Sequence, residues 1–129
     1  MDFVVSKALP VMQELKDAGL CRYIGITGYP LPFLKGVIEK SPIQIDTVLS
    51  YCHLTLNDST LVDYLPFFEE RGVGVVNASP VAMGLLTESP VPEWHPATEE
   101  IRQACAAAVV HCKQEGVNIS RLALSLIHI

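Results

Sequence analysis

Hydrophobic residues along the chain follow two different spacings, one typical of helices and one typical of buried strands. Near the amino terminus, one helical face is formed by four apolar residues separated by three or four positions: Val5, Ala8, Met12 and Leu15. Gly19 is expected to end this helix, because glycine adopts the left-handed conformation at little cost. Short apolar runs between turn residues predict strands further along the chain.

The complete pattern predicts the order helix–strand–helix–strand–helix–strand–helix. Strands are expected at residues 22–28, 46–52 and 73–78, and further helices at residues 33–40 and 61–71. A last long helix is expected to begin after Thr98, which resembles an N-cap, and Asn118 resembles the cap of another helix. Pro10 and Pro66 fall inside predicted helices, so those helices either begin later or are kinked.

Apolar strands joined by helices are typical of parallel sheets with right-handed crossovers. Two architectures fit, a doubly wound sheet and a piece of a (β/α)₈ barrel. A dinucleotide-binding doubly wound fold should carry Gly-x-Gly-x-x-Gly after its first strand, and the sequence has no such motif.

Composition and charge narrow the class of protein. The 129 residues suffice for one domain, and half of them are hydrophobic, which argues against a disordered chain. A net charge of −5 without a Lys/Arg cluster argues against nucleic acid or an anionic membrane as partner. No apolar run reaches the roughly 18 residues that span a bilayer. The expected location is the cytoplasm.

The cysteines show no Cys-x-x-Cys pairing and are interpreted as buried thiols in a reducing compartment. The alternative is a metal site built from Cys52, His53, His111 and Cys112. These adjacent pairs lack the ligand spacings of zinc sites, so no metal site is predicted.

Functional residues of parallel α/β folds lie at the carboxyl ends of the strands. Here these ends read Thr27-Gly28-Tyr29, Ser50-Tyr51-Cys52-His53 and Asn77-Ala78-Ser79-Pro80. Such small and hydroxyl-bearing residues favour close approach of a ligand. They can equally cap the turns that follow, and the spacing alone does not decide between the two.

Two stretches resemble a known family. "RYIGITGYP" resembles the fifth barrel strand of aldo-keto reductases, and "VVNASPVAMGLLT" resembles their seventh strand with its cofactor loop. The resemblance extends from Asp2 to about Leu124. It implies a partial (β/α)₈ barrel, about strands five to seven with their flanking helices, in one partial domain over residues 1–129. Residues 125–129 resemble nothing in the family and are expected not to be native family sequence.

The resemblance also implies site residues. Those expected to bind NAD or NADP are Thr27, Gly28, Ser79, Pro80, Val81, Gly84 and Leu85. Ser79 and the loop behind it would lie along the pyrophosphate, and Thr27 would bind the nicotinamide carboxamide. Three usual family contacts are replaced, since Gly28 stands for an Asn, Leu49 for a Gln and Ala78 for an aromatic residue.

The family's Asp, Tyr, Lys and His tetrad belongs to the first half of the barrel, so no catalytic residue is predicted here. The implied activity of the whole protein is oxidation of an aldose to a lactone, with hydride passing to NAD. The alternatives are an NADPH-dependent carbonyl reductase of the same family and a non-catalytic half-barrel for binding or assembly. The implied partners are a small sugar or carbonyl substrate and the missing barrel half, and the chain alone is expected to be inactive.

Overall fold

Three parallel strands pair in the order in which they occur along the chain. They are β1 (Gly25–Gly28), β2 (Thr47–Tyr51) and β3 (Gly74–Ala78). Thr27 is paired with Leu49, and Leu49 with Val76. A helix follows β1 and another precedes β3, which is the βα alternation expected of a barrel segment.

The computed structural model describes residues 1–126. Its α-helices are α1 (Leu9–Asp17), α2 (Leu31–Lys40), α3 (Leu65–Glu70), α4 (Glu99–Gln114) and α5 (Ile119–Ser125). A π-helical turn, Val4–Ala8, leads into α1, and 3₁₀ turns occupy Thr60–Tyr64 and Ala82–Gly84. Of the terminal segment expected to be foreign to the family, residues 127–129 lie outside the described part.

Both prolines inside predicted helices lie in the first turn of an α-helix. Pro10 follows the π-helical turn, in which the N–H of Leu9 bonds to the carbonyl of Val4. Pro66 follows the 3₁₀ turn Thr60–Tyr64, so the single helix expected at residues 61–71 is wrong in extent. The reason is that proline lacks an N–H and is tolerated only where a helix begins.

Other boundaries differ by a few residues. Helix α2 begins at Leu31 rather than at Phe33, because Pro30 occupies the N-cap position in an extended conformation. The strands are shorter than predicted at their amino ends, and β2 stops before Cys52, whose φ is +66°. Both predicted caps are confirmed, since the side chains of Thr98 and Asn118 accept hydrogen bonds from the N–H groups of Ile101 and Arg121.

The chain divides into two compact units. Unit 1 comprises residues 1–51 and 60–78, and unit 2 comprises residues 52–59 and the segment from residue 79 onward. The core of unit 1 contains Leu9, Ile24, Leu34, Val48 and Phe68. The core of unit 2 contains Ala82, Leu85, Leu86, Cys105, Ile119 and Ala123.

The two faces of the sheet differ in burial. Helix α2 packs against β1 and α3 packs against β3, and on the helix-covered face Val48 and Ser50 are fully buried. On the opposite face Val76 is 49% exposed and Tyr51 is 38% exposed. An apolar sheet face of this kind is the one that a closed barrel turns toward its interior. Within residues 1–126, no helix combines the length and apolar character needed to cross a membrane.

Candidate functional site

The carboxyl end of β1 carries the first two predicted site residues, Thr27 and Gly28. The Thr27 side chain is exposed, and its hydroxyl lies 3.5 Å from the carbonyl oxygen of Leu49, at the outer limit of a hydrogen bond. This hydroxyl can therefore exchange its weak partner for a ligand at small cost.

Gly28 faces α2. A Cβ at this position would lie 3.1 Å from Cδ2 of Leu34, which is tighter than ordinary van der Waals contact. Packing of α2 on β1 therefore explains the glycine without a ligand. Only the backbone of Gly28 remains available for the predicted cofactor contact.

Two tyrosines lie at the carboxyl ends of β1 and β2. The ring centroids of Tyr29 and Tyr51 are 6.5 Å apart with the planes tilted by 60°, and the residues are 54% and 38% exposed. Exposed aromatic rings at this edge of a parallel sheet offer an apolar surface to a planar ligand.

One loop directly after β3 contains the remaining predicted residues, which are Ser79, Pro80, Val81, Gly84 and Leu85. We call residues 79–85 the post-β3 loop. Its backbone is strained at three non-glycine residues, with φ of +58° at Ser79, +50° at Ala82 and +53° at Met83, and Gly84 has a φ of +102°. Non-glycine residues adopt such angles at a cost of about 1–2 kcal/mol each. Strain of this kind persists only where surrounding contacts impose it, and it concentrates at functional sites.

The hydroxyl of Ser79 stabilises this loop. Its Oγ accepts a hydrogen bond from the N–H of Met83 at 3.0 Å, and the carbonyl of Ser79 accepts one from Ala82 at 3.0 Å. Ser79 therefore caps the turn that follows, which was one of the two interpretations of the sequence. A hydroxyl that accepts one bond still has its hydrogen to donate, so the cap leaves a donor for a ligand.

Most backbone donors of the loop are used within it. Gly84 donates to the carbonyl of Val81 at 3.1 Å, and Leu85 donates to the carbonyl of Ala82 at 3.1 Å. The side chain of Leu85 is buried in the core of unit 2, while Pro80 and Val81 are half-buried. A ligand on this loop would thus contact the Ser79 hydroxyl and N–H groups that already donate to carbonyl oxygens of the loop.

Two residues that the sequence analysis did not select hold the post-β3 loop from outside. His95 is 6% exposed, and its Nε2 lies 3.0 Å from the carbonyl oxygen of Ala82. Arg102 of α4 donates to the carbonyl oxygens of His95, Pro92 and Ala97. The only signal in the sequence was "PEWHPA", in which a single histidine lies between residues typical of a loop.

Two other titratable side chains of unit 2 are at least partly buried, His53 and Cys105. Nδ1 of His53 lies 3.1 Å from Oδ2 of Asp58, within the short segment 52–59 that the two residues stabilise. Cys105 is a buried free thiol whose pKa is raised by burial. Within residues 1–126, no three His, Cys, Asp or Glu side chains are grouped closely enough to hold a metal ion.

Comparison with known proteins identifies the family to which this chain belongs. The sequence model of the aldo/keto reductase family matches residues 1–128, and the chain belongs to this family. The resemblance and the partial (β/α)₈ barrel predicted from the sequence are thereby confirmed. Proteins of this family are oxidoreductases that generally use NAD(P)H and act on small sugar or carbonyl substrates.

Within the family, the chain is 52% identical over 125 residues to L-galactose dehydrogenase of Arabidopsis thaliana, covering 96% of this chain and 39% of that protein. It is 30% identical to D-arabinose 1-dehydrogenase of Saccharomyces cerevisiae, covering 92% of this chain and 38% of that protein. Among solved structures, a holo-form aldo-keto reductase from Bacillus halodurans matches with a TM-score of 0.56 and 28% identity, over 74% of this chain and 30% of that one. The chain therefore spans about two fifths of the length of the curated relatives it matches.

Proposed function

We propose that this chain is the part of an L-galactose dehydrogenase-like aldo-keto reductase that carries the cofactor loop. The whole protein would oxidise the anomeric carbon of an aldose to a lactone, with hydride passing to NAD⁺. The observation that carries this proposal is the 52% identity to L-galactose dehydrogenase over 96% of the chain. The 30% identity to D-arabinose 1-dehydrogenase supports an aldose as the substrate class.

We propose that the post-β3 loop binds a phosphate of the nucleotide. In this proposal Ser79 donates its free hydroxyl hydrogen to a phosphate oxygen while its Oγ still accepts from Met83. At Gly84 the φ of +102° excludes a side chain on conformational grounds, although the nearest atom to a built Cβ, Cδ of Pro92, is 3.7 Å away. In this proposal a phosphate approaches the backbone between Pro80 and Leu85.

The carboxyl end of β1 would bind the other part of the cofactor. The exposed hydroxyl of Thr27, held only weakly by Leu49, is suited to hydrogen-bond the carboxamide of nicotinamide, and the backbone of Gly28 lies beside it. When bound, NAD⁺ supplies the hydride acceptor. The residues of this chain would bind and orient it.

The acid/base chemistry would come from outside this chain. Oxidising an alcohol requires a base positioned at the leaving proton, and such a group contributes about 10²–10⁴-fold to the rate. In this proposal the family's Asp, Tyr, Lys and His tetrad belongs to the remaining barrel strands, so the isolated chain has no catalytic residue and is inactive. The cytoplasm is the location proposed, because four free cysteines suit a reducing compartment.

The test measures reduced cofactor by absorbance with L-galactose or D-arabinose as substrate and NAD⁺ or NADP⁺ as acceptor. The chain is assayed alone and with the remaining barrel strands of the Arabidopsis L-galactose dehydrogenase, expressed as separate polypeptides. We expect no turnover by the chain alone and turnover by the mixture with L-galactose and NAD⁺. Turnover with NADPH and an aldehyde instead would establish the carbonyl reductase alternative. A stable mixed complex without turnover would favour the non-catalytic half-barrel.

Ser79→Ala tests the loop in the same mixture. Loss of one charge-assisted hydrogen bond, worth about 1.5–3 kcal/mol, should raise the Kd for NADH roughly 10- to 150-fold. Ser89→Ala is the matched control, since Ser89 is exposed and lies outside the loop. Equal affinities of the two variants would contradict the proposed role of Ser79.

A further inference from the structure

We propose that His95 is a positioning residue for the post-β3 loop and thereby for nucleotide affinity. The inference rests on the proposed function, since it takes this loop to be the phosphate-binding element. The observations behind it are the buried contacts of His95 and the strain of the backbone that it touches.

The hydrogen bonds of His95 fix its tautomer. The N–H of Ala97 lies 3.0 Å from Nδ1, and because an amide nitrogen can only donate, Nδ1 must accept. The proton of the neutral ring is therefore on Nε2, which donates it to the carbonyl oxygen of Ala82 at 3.0 Å. Both ring nitrogens are used, as expected for a side chain that is 6% exposed.

The accepting carbonyl belongs to a residue that requires such support. Ala82 is 4% exposed and has a φ of +50°, and the next residue, Met83, has a φ of +53°. The carbonyl of Ala82 also accepts from the N–H of Leu85 at 3.1 Å. The bond from His95 thus fixes the orientation of the peptide between Ala82 and Met83, whose N–H in turn donates to Ser79 Oγ.

Arg102 keeps His95 in place. Its Nη2 donates to the carbonyl oxygen of His95 at 2.6 Å and to that of Pro92 at 3.3 Å, and its Nε donates to the carbonyl oxygen of Ala97 at 3.2 Å. One guanidinium therefore fixes both ends of the 92–97 segment on α4. The planar fork of arginine can do this, whereas a lysine ammonium has no such geometry.

These contacts form one continuous series from α4 to the proposed phosphate site. Arg102 holds the segment around His95, His95 orients the Ala82 carbonyl, and the Ala82–Met83 peptide holds the hydroxyl of Ser79. Loss of the His95 bond should let the strained residues relax toward ordinary angles. The hydroxyl of Ser79 would then lose the position that its hydrogen bond from Met83 gives it.

Two substitutions distinguish the role of Nδ1 in the His95 ring from that of Nε2. In His95→Asn, Oδ1 stands where Nδ1 was and still accepts from Ala97, but nothing reaches Ala82. In His95→Gln, Nε2 stands where the imidazole Nε2 was and can still donate to Ala82. If His95 acts by donating to Ala82, the glutamine variant should preserve the loop and the asparagine variant should not.

The test records hydrogen exchange of individual amides by NMR in the 129-residue chain, together with a titration of NADH to millimolar concentration into the mixture of this chain with the remaining barrel strands. In His95→Asn we expect exchange of Met83, Gly84 and Leu85 to accelerate about five- to tenfold, the factor given by loss of one neutral hydrogen bond, and NADH affinity to fall by a similar factor. His95→Gln should stay within about threefold of wild type in both measurements. The amides of α4 serve as the internal control for global unfolding.

Equal exchange of the three loop amides in wild type and His95→Asn would overturn the inference while leaving the proposed function intact. Absence of NADH binding in every variant, wild type included, would instead overturn the proposed function and the nucleotide part of this inference with it. If His95→Asn does not fold, Arg102→Lys replaces it, since it releases the 92–97 segment without altering the imidazole. That variant should accelerate exchange of the same amides, and an unchanged rate would again overturn the proposal.

Discussion

Asp46 should be the most sensitive polar position of unit 1, because its carboxylate joins α1 to the start of the sheet. Oδ2 accepts hydrogen bonds from Nζ of Lys16 and from the backbone N–H of Ile24, both at 2.7 Å. The backbone of Asp46 pairs with both neighbouring strands, donating to the carbonyl of Ile24 at 2.8 Å and accepting from Gly74 at 2.9 Å. We predict that Asp46→Ala destabilises the protein much more than Lys16→Met.

The magnitudes follow from what each substitution leaves behind. Lys16 and Asp46 are 26% and 20% exposed, so their ion pair is partly screened and worth about 0.5–1 kcal/mol. Ile24 is fully buried, and an N–H left without its acceptor costs about 1–3 kcal/mol. Asp46→Ala should therefore cost about 2–4 kcal/mol in the free energy of unfolding. Asp46→Asn should cost about 1 kcal/mol, because the amide oxygen can still accept from Ile24.

The pH dependence of the stability gives an independent check on the contribution of the Asp46 carboxylate. The pKa of Asp46 is lowered, chiefly by the hydrogen bond from Lys16 and then by that from the Ile24 N–H, against the opposing effect of burial. A carboxyl group whose pKa is lower in the folded state stabilises fully above its unfolded pKa of about 3.9 and loses this effect as pH falls through the folded value. The difference in stability between wild type and Asp46→Asn should thus be constant above about pH 5 and shrink below about pH 4.

Urea unfolding followed by circular dichroism measures both effects, at about pH 7 and about pH 3. Lys16→Met is the matched control, since it removes the ion pair but leaves the carboxylate to accept from Ile24. If Asp46→Ala and Lys16→Met had the same unfolding free energy, the Ile24 bond would contribute nothing and the reasoning would be wrong. A difference between wild type and Asp46→Asn that persisted unchanged at the acidic pH would refute the pKa argument.

Two further predictions concern the post-β3 loop and the edges of the sheet. Gly84→Ala and Gly116→Ala both place a Cβ at positive φ in unit 2 without a steric clash, so each should lower the free energy of unfolding by about 1–2 kcal/mol. Only Gly84→Ala should also weaken NADH binding, measured by calorimetry. Equal NADH binding by the two variants would contradict the role assigned to the post-β3 loop. Within the described residues β1 and β3 are edge strands, and one sheet face exposes Val76 and Tyr51. The isolated chain should therefore self-associate. A single monomer peak in sedimentation velocity at about tens of micromolar would contradict this prediction.

The alternation of helices and strands could be predicted from the sequence because it depends on local spacing. The apolar face of α1 repeats every three to four residues, and the N-caps Thr98 and Asn118 act on N–H groups three residues away. The parallel order of the strands also followed, since a helix between two strands requires a crossover. The helix boundaries at Pro10 and Pro66 were less certain, because a proline fits either a helix start or a kink and only packing decides.

The post-β3 loop shows what local reasoning could not supply. Its glycine was recognised, but the positive φ of Ala82 and Met83 contradicts the preference of those residues and has no signal in the sequence. The conformation depends on His95, thirteen residues further along, and on Arg102 beyond it. Contacts of this separation are made by the fold, so the sequence could indicate that residues 79–85 matter without indicating what holds them.

The two interpretations of Ser79, a cap or a ligand contact, are not exclusive alternatives. By accepting from Met83, Oγ is fixed in position, and its remaining hydrogen is restricted to the directions that this bond leaves open. A hydroxyl held in this way loses less conformational freedom on binding than a freely rotating one, which favours affinity. The strain in Ala82 and Met83 is then the energetic cost of orienting the Ser79 hydroxyl. This cost is offset by the hydrogen bonds that the Ala82 carbonyl accepts from His95 and Leu85.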